Sequence, residues 1–446
     1  MEKQLTVGRP FPVLLRFVLP VIGGNLFQLF YTLADSIIVG KTLGADTLAA
    51  VGSTGIISYF VLCFVQGFTG GFGICLGQSC GAQDETAMRR SAAISWVLSR
   101  GFTLVLTPVI CLLTRPLLVC MKTPADIFSD AYDYLFIVLL GTGATIFYNM
   151  ISYMLRALGD SKTPLIFLVF SSLLNIGLDV VFMVPLSMGV AGDAWATVLS
   201  QLLSAILCTI FGLHKFPVLR SRRADLADWK PVAMRHLRIG FPMGFQMSVM
   251  CIGQVAMQVG VNALGPAAIA GYTAASKVDQ VSVLVNSAFG IAISNYVAQN
   301  YGAYQFGRIR SGVRASLIQT ECVNLLMCAV LLLGRNFVVP MFIDAPTAEI
   351  VAYANGYLLA VAPFYLLMGL LLVFRSTVQS MGNGAAPFTA CMIELVMRIG
   401  GTFGLSILLG YTGICLATPL AWLGAVSLLI PVYCKEMRKA LAKSVA

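Results

Sequence analysis

The sequence predicts an all-α membrane protein: twelve transmembrane helices in two parallel six-helix repeats, an N-lobe and a C-lobe, around a central cleft. Three observations predict it. Of 446 residues, 58% are hydrophobic and 11% charged, with a mean hydropathy of +0.86. Soluble domains carry about 25% charged residues. About twelve apolar runs are long enough, at ~1.5 Å per residue, to cross a hydrocarbon core of ~30 Å. Short motifs also recur between the two halves at nearly one offset.

Helices that are apolar all round give little periodicity, so length and breakers place the spans. The first half gives Val13–Val39, Leu48–Gln78, Ser91–Leu113, Tyr132–Leu155, Pro164–Val184 and Val190–Leu213. A basic stretch follows, with Lys215, Arg220, Arg222, Arg223, Lys230, Arg235 and Arg238. The second half gives Ile239–Val261, Ala268–Asn300, Gly312–Leu333, Val351–Gln379, Pro387–Leu409 and Thr412–Cys434. The expected domains are therefore residues 1–213, a cytoplasmic linker 214–235, residues 236–434 and a cytoplasmic tail 435–446.

The net charge of +10 belongs first to cytoplasmic loops facing anionic lipid, not to a nucleic-acid partner. Lys3, Arg9 and Arg16 lie in the N-terminal arm, and Arg89, Arg90, Arg156, Lys162, Arg308, Arg310 and Arg314 in alternate loops. The intervening loops hold only Lys41, Arg115, Lys122 and Arg335. Both termini are expected in the cytoplasm. The opening residues lack a cleavage site and read as a retained arm.

The repeat is explicit. Gly77–Ala82 (GQSCGA) matches Ala298–Ala303 (AQNYGA), an offset of 221. At that offset Leu43-Gly44 meets Leu264-Gly265, and Gly189-x-x-Gly192…Ala196-Thr197 meets Gly410-x-x-Gly413…Ala417-Thr418. Leu19-Pro20 meets Phe241-Pro242 and Gly159…Pro164 meets Gly382…Pro387, with shifts of one and two. An even number of spans per half makes the repeat parallel, a duplication that supports alternating access.

The candidate chemistry sits at Asn175 and Asp179, spaced i,i+4 on one face of the fifth span. A carboxylate at bilayer depth costs at least ~2.5–3.5 kcal/mol and marks an ion or substrate path unless it ties helices together. A second membrane acid, Asp35, favours a cation site. Glu394 and Arg398 are i,i+4 and read as a helix salt bridge. Asp279 lies two residues from Lys277, on a different face; Glu321 shows no partner in the sequence. Met243, Met247, Met250 and Met257 suit either an adaptable cavity or ordinary packing. Gly67-x3-Gly71, Gly73-x3-Gly77 and Gly400-x3-Gly404 read as close helix contacts. The 12 cysteines form no metal-spaced motif and read as core residues; His214 and His236 fall in the basic linker. No phosphate-binding GxxxxGK[ST] loop and no catalytic constellation are present, so the chain is not expected to be an enzyme.

These residues resemble the MATE (multidrug and toxic compound extrusion) family over nearly the whole chain. The resemblance rests on LP at Leu19-Pro20, Y-x3-D at Tyr31–Asp35, RALGDSKTP at Arg156–Pro164, N-x3-D at Asn175–Asp179 and the G-x-x-G…AT start of the sixth span. It implies a multi-pass inner-membrane antiporter, expected as a monomer, that expels amphipathic, cationic organic compounds against H⁺ or Na⁺. No cofactor is implied beyond that ion. By motif position, Asp35, Asn175 and Asp179 match the family's N-lobe cation site, with a Na⁺ site at those three as the metal expectation. Tyr31, Thr197 and Tyr134 match its accessory residues, and Pro20 the hinge at which helix 1 bends. The helix-4 asparagine is replaced, with Ser152 in its place and Asn149 one turn earlier. Asn25, Gln28, Gln246 and Asp279 are placed on the substrate path. The expected partners are a small organic substrate and membrane lipid. Spans 7 and 10 lack the acids that another branch uses. The alternative is a flippase of lipid or lipid-linked oligosaccharide, which needs cations in the cleft to hold a phosphate. An intramembrane enzyme would need a nucleophile or metal ligands at depth. A substrate-gated channel is disfavoured by the duplicated lobes.

Overall fold

The computed structural model describes residues 5–43, 45–121, 123–342 and 346–445; the side chains of residues 35, 36, 40, 41, 43, 45–50, 53 and 443–445 lie outside that description. Among the described residues the chain forms fourteen α-helices. They are α1 (Pro10–Leu43), α2 (Ala45–Gly81), α3 (Glu85–Cys120), α4 (Ala125–Leu140), α5 (Thr142–Ala157), α6 (Lys162–Met183) and α7 (Val190–Lys215), then α8 (Trp229–Asn262), α9 (Pro266–Gly302), α10 (Phe306–Val338), α11 (Ala348–Val361), α12 (Tyr365–Ser380), α13 (Ala385–Leu409) and α14 (Tyr411–Val445). Eleven candidate spans emerge by length and composition, or twelve when α4 and α5, bent by 42° at Gly141, count as one. Helices α11 and α12 form a single span through a 3-10 turn, Ala362–Phe364.

Two differences from the expected boundaries have plain causes. The fourth span is broken rather than continuous at Gly141, where the chain meets α7 too closely for a side chain: a Cβ there would overlap Val198 Cγ2. The expected linker is shorter: α7 runs to Lys215 and α8 begins at Trp229. Lys230, Arg235 and Arg238 disguised ten helical residues as a polar loop. His236 is thus no linker residue. It is buried in α8, 3.0 Å from Ser91 Oγ, with its other ring nitrogen 2.8 Å from the Val232 carbonyl.

The described chain divides into two compact units. Unit 1 holds Gly23–Gly244; unit 2 holds Leu5–Ile22 and Phe245–Ala446. The cut does not follow residues 213 and 236, because the first segment of each leading helix packs away from its own half. Leu14, Phe17, Val18 and Val21 join the buried core of unit 2 with Phe289, Tyr296 and Tyr357. Gly240 of α8 approaches α2 so closely that a Cβ there would lie 2.8 Å from the Phe68 carbonyl oxygen. In both helices the change of unit falls two residues after the proline, Pro20 in α1 and Pro242 in α8.

The chain start is strapped into unit 2. The Leu5 amide donates to Gln299 Oε1 at 2.9 Å, and Asn300 and Arg308 donate to the Leu5 and Gly8 carbonyls. Gly67 and Gly71 do mark a close helix contact: a Cβ on Gly71 would lie 2.6 Å from Gly240 Cα. Gly400 and Gly404 do not, since a Cβ on either would meet nothing within 4 Å.

The repeat is visible in local backbone geometry. Gly159 and Gly382 adopt φ of 90° and 95°, and Gly189 and Gly410 adopt 61° and 57°. The residue after each of the first pair then caps the next helix: Asp160 Oδ1 accepts from the Lys162 and Thr163 amides, and Asn383 Oδ1 accepts from the Ala386 amide. Asp160 goes further, accepting from Thr163 Oγ1 at 2.5 Å and from Lys215 Nζ at 3.1 Å. Burial opposes its ionised form, but the Thr163 bonds and the Lys215 ammonium hold the carboxyl below its ordinary range. Its stabilising share is therefore complete above the unfolded value, near 3.8, and is lost as pH falls through the lower folded value. Asp160→Asn is expected to cost about 2 kcal/mol at neutral pH. Thermal unfolding in detergent should show a gap from wild type that is constant above pH ~5 and closes below pH ~4. A gap that closes near neutrality would contradict this account.

Candidate ion-coupling site

Helix α6 starts at the Asp160 cap, tolerates Pro164 in its first turn, and runs apolar to Met183. Its two polar residues of interest, Asn175 and Asp179, stand one turn apart and are 1% and 0% exposed. Asn175 Nδ2 donates to Asp179 Oδ1 at 3.3 Å and lies 3.5 Å from Thr197 Oγ1 on α7. That amide nitrogen is therefore shared between an acid and a hydroxyl. Asn175 Oδ1 is enclosed without a hydrogen-bond partner among the described residues. An enclosed acceptor beside a carboxylate suits a proton or a hard cation, both of which oxygen atoms recognise.

The structure adds an acid that the sequence reading passed over. Asp193 lies in the first turn of α7, is 0% exposed, and stands one turn before Thr197. Helices α6 and α7 run antiparallel through a short connection. Since Asn175 meets Thr197, Asp179 and Asp193 come level one turn further toward that connection. The i,i+4 spacing of Asp193 and Thr197 was the available signal, but it sits inside the G-x-x-G…AT stretch taken as a repeat and family motif.

Other expected members divide. Asp35 lies within α1, with its side chain outside the described residues. Tyr31, Asn25 and Tyr134 are half-buried, and Gln28 is exposed, its carbonyl accepting from Thr32 Oγ1 at 2.9 Å. Pro20 lies inside α1. Ser152 is buried in α5, while Asn149 donates to its own helix at the Thr145 carbonyl, 2.8 Å away.

Unit 2 carries its own polar interior. Asp279 on α9 accepts from the Tyr357 and Tyr365 hydroxyls at 3.0 and 2.5 Å, while Lys277 is exposed. Gln246 is buried and accepts from Gln379 Nε2 at 2.6 Å. Both residues expected on the substrate path thus make bonds inside unit 2. Glu321, unpaired by sequence, meets Asn324 Nδ2 at 3.4 Å, and Asn324 Oδ1 accepts from Asn286 at 2.7 Å. The expected Glu394–Arg398 bridge forms at 3.0 Å, and a second arginine that the sequence reading missed, Arg375, pairs with the same acid at 2.5 Å. A lone arginine in the tenth span was its signal.

The MatE family profile matches residues 20–181 and matches again at 242–403. The chain belongs to the MatE family. The doubled match follows the internal repeat and covers most of the chain. Among similar proteins, the "Probable multidrug resistance protein YpnP" of Bacillus subtilis (strain 168) is 30% identical over 421 residues, 94% of each chain. The "Probable multidrug resistance protein YoeA" of the same organism is 26% identical over 380 residues, 83% of this chain and 81% of that one. A crystal structure of MATE in the bent conformation superposes with a TM-score of 0.91 at 22% identity, covering 99% of both chains. This likeness shows a shared MATE fold, and a MATE chain is a transporter rather than an enzyme.

Proposed function

We propose that this MATE chain is a secondary antiporter in the bacterial inner membrane, with both termini cytoplasmic. It expels amphipathic, cationic organic compounds in exchange for H⁺ or Na⁺ bound near Asp179, Asn175 and Asp35. The observation that carries the reading is the enclosed Asn175–Asp179–Thr197 cluster at membrane depth, where an acid is expensive without a task. The multidrug names of the Bacillus subtilis relatives support the substrate class. The driving force suffices: one charge crossing ~100 mV supplies about 2.3 kcal/mol. With a modest pH gradient, roughly 3.5 kcal/mol per proton sustains a substrate gradient of a few hundred-fold. Tyr31, Tyr134 and Thr197 would orient the ion site, and bending of α1 at Pro20 would link it to release.

A flippase is the second reading, favoured by the buried Arg375 and Arg398. The space beside Arg398 holds about one water, however, and not a phosphate headgroup.

The test uses purified protein in liposomes with a fluorescent cationic dye, under an imposed pH gradient or an imposed Na⁺ gradient. One gradient is expected to drive the dye uphill. Dye that ignores both gradients would sink the antiport reading, and wild-type transport by Pro20→Ala would remove the hinge.

A further inference from the structure

The interior of unit 2 contains more positive charge than its ion pairs neutralise. Arg375, Glu394 and Arg398 are 2%, 2% and 6% exposed. Each oxygen of Glu394 is taken by one guanidinium, at 2.5 and 3.0 Å. The Nε atoms of both arginines are enclosed without a hydrogen-bond partner among the described residues. Arg375 Nη1 has only the sulfur of Met250, at 3.7 Å. Asp279 and Glu321, the other acids in this interior, are held by tyrosine hydroxyls and an asparagine rather than by either arginine. Arginine does not shed its proton in proteins. One charge and several N–H donors therefore remain unanswered where an uncompensated charge is most costly.

A bound anion would answer both the charge and the donors, and space limits which. A cavity of about 10 Å³ lies against Arg398, Glu394, Gly253, Met250, Cys391 and Leu395. That volume suits an occupant about the size of one water. Gly253 keeps it open: a Cβ there would stand 3.1 Å from Arg398 Cδ and 3.3 Å from its Nη1. A water would fill the space and leave the charge. A carboxylate or phosphate would overfill it. We propose that the Arg375–Glu394–Arg398 cluster, with the cavity at Gly253, is a binding site for a halide, chloride in the cell. The weakly hydrated guanidinium groups and the methionine and leucine walls suit such an ion better than a strongly hydrated one. The site is independent of the coupling ion in unit 1.

The experiment is thermal unfolding of the purified full chain in nanodiscs at constant ionic strength, with chloride exchanged for bromide, gluconate or sulfate. Chloride and bromide should raise Tm saturably, by about 2 °C per tenfold excess over Kd; gluconate and sulfate should not. Equal Tm in chloride and gluconate overturns the site. Gly253→Ala, which fills the cavity and keeps all three charges, should abolish the halide effect; a retained effect places the ion elsewhere. Should that variant not fold, the anomalous signal of bromide in wild-type crystals decides: a peak against Arg398 supports the proposal, and bromide found only at other positions overturns it.

Discussion

Asp179→Asn is expected to reduce gradient-driven dye transport at least a hundredfold while the protein remains folded. The substitution is nearly isosteric, and an asparagine carbonyl still accepts from Asn175 Nδ2, which is bonded to Asp179 Oδ1 at 3.3 Å in the wild type. What disappears is the ionisable group. Because Asp179 is fully buried, losing its charge removes a desolvation cost and should leave Tm unchanged or higher. A structural acid gives the opposite pattern, with lower Tm and transport reduced only in proportion to folded protein. Measuring both in one preparation separates the two, and full gradient-driven transport by the variant would move the coupling site elsewhere.

Glu394→Gln should be the most destabilising of the substitutions considered. The acid bonds two guanidinium groups at once, at 2.5 and 3.0 Å, and its removal leaves both charges buried without their shared counterion. Breaking a buried pair in this way costs about 3–5 kcal/mol. Replacing all three members together, as Arg375→Leu, Glu394→Leu and Arg398→Met, removes the charges along with their desolvation and should recover most of that loss. Denaturant titration in nanodiscs checks both. If Glu394→Gln alone unfolds like wild type, the guanidinium groups do not depend on that acid.

The sequence carried the spans, their number and the repeat, because apolar length and turn residues are local properties. It also carried the Glu394–Arg398 bridge, since i,i+4 neighbours on a helix meet whatever surrounds them. Arg375 escaped notice because its partner lies on another helix, 19 residues away. The same reason hid the two tyrosine hydroxyls on Asp279, which come from 78 and 86 residues downstream. Asp193 was hidden differently: its place one turn from the Asn175–Thr197 contact exists only after α6 and α7 have folded against each other. The start of α8 was misread because charged side chains extend a helix beyond its apolar stretch without breaking it.

The strapped chain start has a consequence for biosynthesis. Leu5 is bonded to Gln299, which follows 294 residues later. At about 5–20 residues per second, translation takes roughly 15–60 s to supply that partner. For most of this interval, until the chain passes Phe245, the first segment of α1 has none of its native neighbours in unit 2. The insertion machinery or lipid must shelter its apolar face until α9 and α10 emerge, so a ribosome-stalled chain ending before Gln299 should expose the Leu5–Ile22 segment to protease while the full-length protein shields it.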